Sequence, residues 1–173
     1  ENNMLRSSVA QAFNREGQGL VFTWKNFLWD DEANKTRAPH LEYNYAKDLI
    51  KFVLGEYKKI NHHTPARVVI HKTTDFWDYN DSQEHNELGG LKDGITAELG
   101  EDVKMDFVTI KSSAVKIFRN FGIYPVPRGT SMKIDDSECI LYTTGYIPYF
   151  ELYPGRHIPH PLHIKIFESD SHL

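Results

Sequence analysis

The chain has one cysteine, Cys139, in 173 residues. An internal disulfide is therefore excluded, and the expected setting is a reducing compartment. No apolar run approaches the roughly 20 residues of a membrane-spanning helix, and the opening ENNMLRSS lacks the apolar core of a signal peptide. Together these absences predict a cytoplasmic protein. No Ser-His-Asp pattern is visible, and ELGGL, the one glycine-rich candidate for a phosphate cradle, lacks the following lysine and hydroxyl. With 40% hydrophobic and 13% aromatic residues the composition also excludes disorder. The length suits a single domain, residues 1–173, with a core of its own.

What is present begins with an uneven charge. Between Val103 and Ile134 six bases (Lys104, Lys111, Lys116, Arg119, Arg128, Lys133) face one acid, Asp106: a local net of +5 in a chain of net −4. A basic segment in an acidic chain suits a face that meets a polyanion while the rest keeps the protein soluble. A solvated basic loop gives the same pattern.

The periodicities give an order of elements. RSSVAQAFN and LVFTW alternate around REGQG and predict a β-hairpin. After the polar stretch DDEANKTRAP, Leu41, Tyr45, Leu49, Phe52, Val53, Tyr57 and Ile60 recur at helical spacing. PARVVIHK predicts a strand over 67–71, buried and central in a mixed sheet. Asp81 and Glu84 are spaced as a capping box ahead of a second helical stripe of Leu88, Leu91, Ile95 and Leu99. Gly89, Gly90 and Gly94 weaken that helix by roughly 1 kcal/mol each, so it depends on tertiary packing. VKMDFVTI predicts a strand, GTSMKID and CILYTTGYI a hairpin, and PLHIKIF a last strand near 162–167.

Hairpin, helix, strand, helix, strand is the order of a ribonuclease H-like α/β fold, a mixed sheet flanked by helices, entered at its second strand. Five segments, RSSVAQAFNREGQGLVF, PARVVIHKTTDF, YPVPRGT, LYTTGY and PHPLHIKIF, occur in an order and at spacings that resemble the PIWI domain of prokaryotic Argonautes. The resemblance spans nearly the whole chain. It implies a PIWI domain truncated at both ends, without its first strand, that holds a guide strand of RNA or DNA and its complementary target, in prokaryotic defence against invading DNA. An Mg2+ ion would belong to a guide 5′-phosphate site outside this segment.

Slicing members of that family resemble ribonuclease H in holding two metals with carboxylates, one of them just after the strand matching 67–71. Here His71, Lys72 and Thr73 occupy that place. An ammonium repels a hard cation, so the resemblance is to short or inactive long members, which bind without cutting. No catalytic residue and no metal site is assigned. Glu42 is the nearest match to the acidic finger that completes an active site, and its place in a first helical turn suits the helix dipole alone. Asp75 and Asp78 read as solvated loop residues. His157, His160 and His163 invite a zinc reading, but Pro159 and Pro161 force extended backbone that turns successive side chains to opposite faces. The expected phosphate contacts are Lys72, Lys111, Lys116, Arg119 and Arg128; Arg128 could instead pin its own loop. Phe118 and Phe121 read as core rather than as stacking surfaces. Two alternatives remain: a protein scaffold presenting an effector subunit, and an active metal-dependent nuclease with rearranged ligands.

Overall fold

The computed structural model describes residues 3–30, 40–78, 86–120, 122–155 and 157–170, with side chains except at 3, 4 and 27–30. The chain divides into two compact units, Glu1–Val68 with Phe76–Val103, and Val69–Asp75 with Lys104–Leu173. None of the described helices is long and apolar enough to cross a membrane.

The first unit starts with an antiparallel hairpin of β1 (Asn3–Phe13) and β2 (Gly19–Asp30), whose register shifts between Ser7 and Val9. Its turn is closed by Asn14, whose Oδ1 accepts from the backbone of Glu16 at 3.1 Å and Gln18 at 2.9 Å. Gly17 supplies the positive φ of 80° that the turn requires. Helix α1 (Tyr43–Asn61) buries Ala46, Val53 and Leu54 and ends at His62, in the left-handed region. Phe52 of α1 meets the rings of Phe22 and Trp24 at 5.8 and 4.5 Å. The hairpin thus gains the apolar cover that two strands alone lack.

Helix α2 (Glu87–Leu99) is capped by Asn86, whose side chain accepts from Gly89 N–H at 2.9 Å. The capping box expected at Asp81 and Glu84 lies outside the described residues. Two glycines of α2, Gly90 and Gly94, are explained by α1. A Cβ on Gly90 would come within 2.2 Å of the Tyr43 carbonyl oxygen, and one on Gly94 within 2.3 Å of Ile50. The helix gives up propensity for close approach of the two backbones.

The second unit is built on a five-stranded sheet of order β3-β4-β7-β6-β5, from β3 (Arg67–Lys72), β4 (Lys104–Ser112), β5 (Ser131–Lys133), β6 (Glu138–Leu141) and β7 (Leu162–Ser169). The pairings β4–β7, β7–β6 and β6–β5 are antiparallel. The expected strand near 67–71 forms, but at the end of the ladder rather than in its centre. Its residues alternate between exposed and half-buried, and Val69 is 47% exposed. A short β-branched run has the same appearance in either place. The buried strand is β4, with Phe107, Val108 and Thr109 in the core.

Candidate nucleic-acid interface

All five expected phosphate contacts fall in the second unit. Lys72 ends β3, half-buried and engaged by its surroundings, beside the exposed His71. Lys111, near the end of β4, meets the Asp75 carboxylate at 2.8 Å, which brings the carboxyl ends of β3 and β4 together. Asp75 is therefore a salt-bridge partner rather than a residue facing water alone. Asp78 is exposed, as expected.

The remaining three cations lie on the loops after β4. The described residues of this stretch have no regular secondary structure until β5, yet they are pinned by identifiable bonds. Ser113 N–H donates to the Pro161 carbonyl at 2.9 Å, and Ile117 N–H donates to the hydroxyl of Tyr142 at 2.7 Å. Tyr142 is 1% exposed and packs with Val126 and Ile140, so the loop hangs from a core residue. Farther on, Arg128 N–H donates to the Tyr146 carbonyl at 2.8 Å and Gly129 N–H to that of Tyr142 at 2.7 Å. The backbone of Arg128 therefore pins the loop, while its side chain stays exposed. Gly145 makes this approach possible: a Cβ there would lie 2.4 Å from the Val126 oxygen.

Lys116 and Arg128 are exposed, and no carboxylate of the described residues pairs with them. Arg119 holds its guanidinium 5.5 Å over the Tyr146 ring, which stacks on Tyr124 at 4.5 Å. Lys133 is paired with Asp136 at 2.6 Å. Asp106, the one acid of the basic segment, is buried and accepts from the Ser169 hydroxyl. Of the six bases, Lys111 and Lys133 are thus opposed by carboxylates from outside the segment, and Lys116, Arg119 and Arg128 carry its unopposed charge.

Phe118 is not core as expected; it is 70% exposed, because Ile117 takes the inward position against Tyr142. Phe121 lies outside the described residues. Glu42 occupies the N-cap of α1 and is exposed, but its side chain makes no capping bond. His163 bonds to Glu138 at 2.9 Å, and His160 is exposed. Among the described residues no three His, Cys, Asp or Glu side chains gather as metal ligands.

Sequence reasoning passed over Tyr142 and Tyr146, which organise these loops; the dense TTGY between them was the available signal. It also passed over Glu138, which accepts from Lys165 at 2.9 Å as well as from His163. Hydrogen bonds from Lys165 and then His163 hold the Glu138 carboxyl below the usual carboxylate range, and Glu138 in turn raises Lys165.

No family model and no curated protein matches the chain. Among solved structures, 99% of this chain aligns with the crystal structure of the Marinitoga piezophila Argonaute in complex with a 5′-OH guide RNA. The TM-score is 0.58 at 14% sequence identity. The chain spans 22% of that protein's length. Its mixed α/β architecture of a five-stranded sheet and two helices is Argonaute-like in fold.

Proposed function

We propose that the chain is a ribonuclease H-like PIWI portion of an Argonaute-type protein that holds a guide–target duplex and does not cut it. The observation that carries this reading is the fold likeness along 99% of the chain to an Argonaute solved with guide RNA. The exposed cations of the second unit add to it. Guide-directed proteins leave sequence reading to base pairing and contact backbone and groove shape. Lys116 and Arg128, exposed on pinned loops, suit phosphate contacts, with Lys72, Lys111 and Arg119 as further contacts of the same kind.

The non-cleaving part rests on the end of β3. Lys72 stands where a metal-holding carboxylate would be needed, and Asp75, three residues on, is paired with Lys111. Both features disfavour a pair of hard cations. Defence against invading DNA is the corresponding biological role.

The test is a titration of the intact protein with two guide–target duplexes of unrelated sequence at several salt concentrations. Replacing Lys116 and Arg128 with Ala should weaken both duplexes equally and flatten the salt slope by roughly 0.9 for each phosphate no longer neutralised. An unchanged slope would leave a solvated basic face and favour the scaffold reading. In the same preparations, no cut opposite the guide should appear with magnesium or manganese, nor after Lys72→Asp. A discrete cut that disappears on Lys72→Ala would establish a nuclease instead.

A further inference from the structure

The loops of the second unit enclose a groove of about 420 Å³ whose lining includes Ile117, Phe118, Ile123, Val126, Ile158 and Arg119. Apolar side chains at its rim stand open to water: Ile123 is 91% exposed, and Phe118 and Ile158 are also exposed. Scattered apolar residues at a surface are ordinary, whereas a contiguous set around a concavity marks a binding site.

The polar groups of the groove narrow the occupant. Two of the three tyrosines in the lining spend their hydroxyls on backbone: Tyr142 accepts from Ile117 N–H, and Tyr153 donates to the His157 carbonyl; the third, Tyr124, stacks its ring on Tyr146. A nucleobase brings donors and acceptors on its edges, and burying them without partners costs roughly 1–3 kcal/mol each. Ile117, Ile123, Val126, Ile158, Pro125 and Pro159 supply no such side-chain partner, which leaves Arg119, His157 and Tyr124 to do so. Arg119 does supply a directed charge. Its guanidinium rests over Tyr146, itself stacked on Tyr124, and among the described residues none that lines the groove is acidic.

We propose that this groove docks a short segment of a partner protein, one that inserts apolar side chains and sets a carboxylate against Arg119. Apolar anchors in a preformed pocket beside an arginine are the composition in which protein interfaces concentrate binding energy. Lys116 and Arg128, in the same loop region, favour an acidic segment over a basic one. The inference shares Arg119 with the proposed phosphate contacts and differs from nucleic-acid binding in its use of the apolar side chains of the groove.

Fluorescence anisotropy of the intact protein tests it with three labelled short peptides, composed of Leu, Phe and Asp; of Leu, Phe and Lys; and of Ser and Asp. A thymidine oligomer serves as a fourth probe. The Leu/Phe/Asp peptide should bind at least about tenfold more tightly than the others. Ile123→Asp should lower that affinity by about tenfold or more and leave guide-duplex binding unchanged. Ile123 is too exposed for this change to disturb folding. Arg119→Glu should move the preference toward the Lys-containing peptide. Equal binding of the Leu/Phe/Asp peptide by wild type and Ile123→Asp would overturn the proposal. So would a thymidine oligomer that binds through Ile123 while the peptides do not, which would make the groove a base-stacking site.

Discussion

The helices of the first unit and the loops of the second treat their cations differently. In the first, three of the four lysines of α1 meet carboxylates of α1 or α2: Lys47 with Asp93, Lys58 with Glu98 and Lys59 with Glu56. Its buried His40 lies against Glu87 at 3.2 Å and stacks on Trp77. In the second, Lys116, Arg119 and Arg128 have no carboxylate partner among the described residues, and apolar side chains stand open beside them. Surface ion pairs contribute little stability, so the contrast says less about folding than about availability. The helices of one unit pair most of their lysines; the loops of the other keep three cations and apolar surface open.

The contrast is broken most severely by separating the helices of the first unit. Gly90→Ala places a methyl group 2.2 Å from a backbone oxygen, which a rotamer change cannot relieve. Overpacking costs typically about 1–3 kcal/mol, and a backbone clash belongs at or above the top of that range. All three tryptophans, Trp24, Trp29 and Trp77, belong to this unit. Tryptophan emission during urea unfolding should therefore shift to much lower denaturant in this variant. An unchanged midpoint would mean that the helices separate at no cost and that the unit is less closed than described.

Next in size is the tether of the open loops. Tyr142→Phe keeps the ring in the core and removes the hydroxyl that holds Ile117 N–H. A part-buried donor left without a partner costs about 1–3 kcal/mol. The expected result is faster proteolysis within residues 113–126 and weaker binding to any partner of the groove. If protection from proteolysis is the same as in wild type, the loop is held by other bonds, and the hydroxyl is incidental.

The tether also shows where sequence reading reached and where it stopped. The amphipathic spacing of α1, the alternation of β1 and β2, and the apolar strands β4 and β7 were legible because each writes its burial into a local period. The edge position of β3 was not, since pairing depends on residues distant in the chain. Nor was the exposure of Phe118: in irregular backbone no period says which side faces inward, and the choice was made by Tyr142, 24 positions away. Among the proposed contact residues the types were readable and their partners were not. Lys111 looked like Lys116 until Asp75 was found beside it.

That difference between Lys111 and Lys116 yields a smaller prediction. Asp75→Asn removes the carboxylate that engages Lys111 at 2.8 Å while keeping the size of the side chain. The freed ammonium should join the cations available to a phosphate backbone. The salt slope of duplex binding should steepen by up to roughly 0.9, the increment for one more neutralised phosphate. A slope that stays the same would place Lys111 away from the nucleic acid and confine the open surface to the loops.

The smallest effect concerns the place where the second unit gathers two cations on one carboxylate. Glu138 accepts from Lys165 and His163 across β6 and β7, and its carboxyl is held below the usual range chiefly by the Lys165 bond. A carboxylate whose folded pKa is depressed stabilises the fold above its unfolded pKa and loses that contribution as pH falls through the folded value. Lys165 has the opposite sign: raised by Glu138, it stabilises below its unfolded pKa and loses the contribution as pH rises through the raised value. Glu138→Gln removes the first and the main cause of the second, so the urea midpoint should depend less on pH at the acid end and at the alkaline end, with little change near neutrality beyond the loss of a surface pair. Some acid dependence should remain, because Asp135 is itself held low by the backbone N–H of Ser137. Midpoints of wild type and Glu138→Gln measured from the acid to the alkaline limb decide it. Parallel curves would show that the cluster, like most exposed ion pairs, contributes nothing the fold can register, and that the second unit's paired charges matter no more to its stability than its open ones.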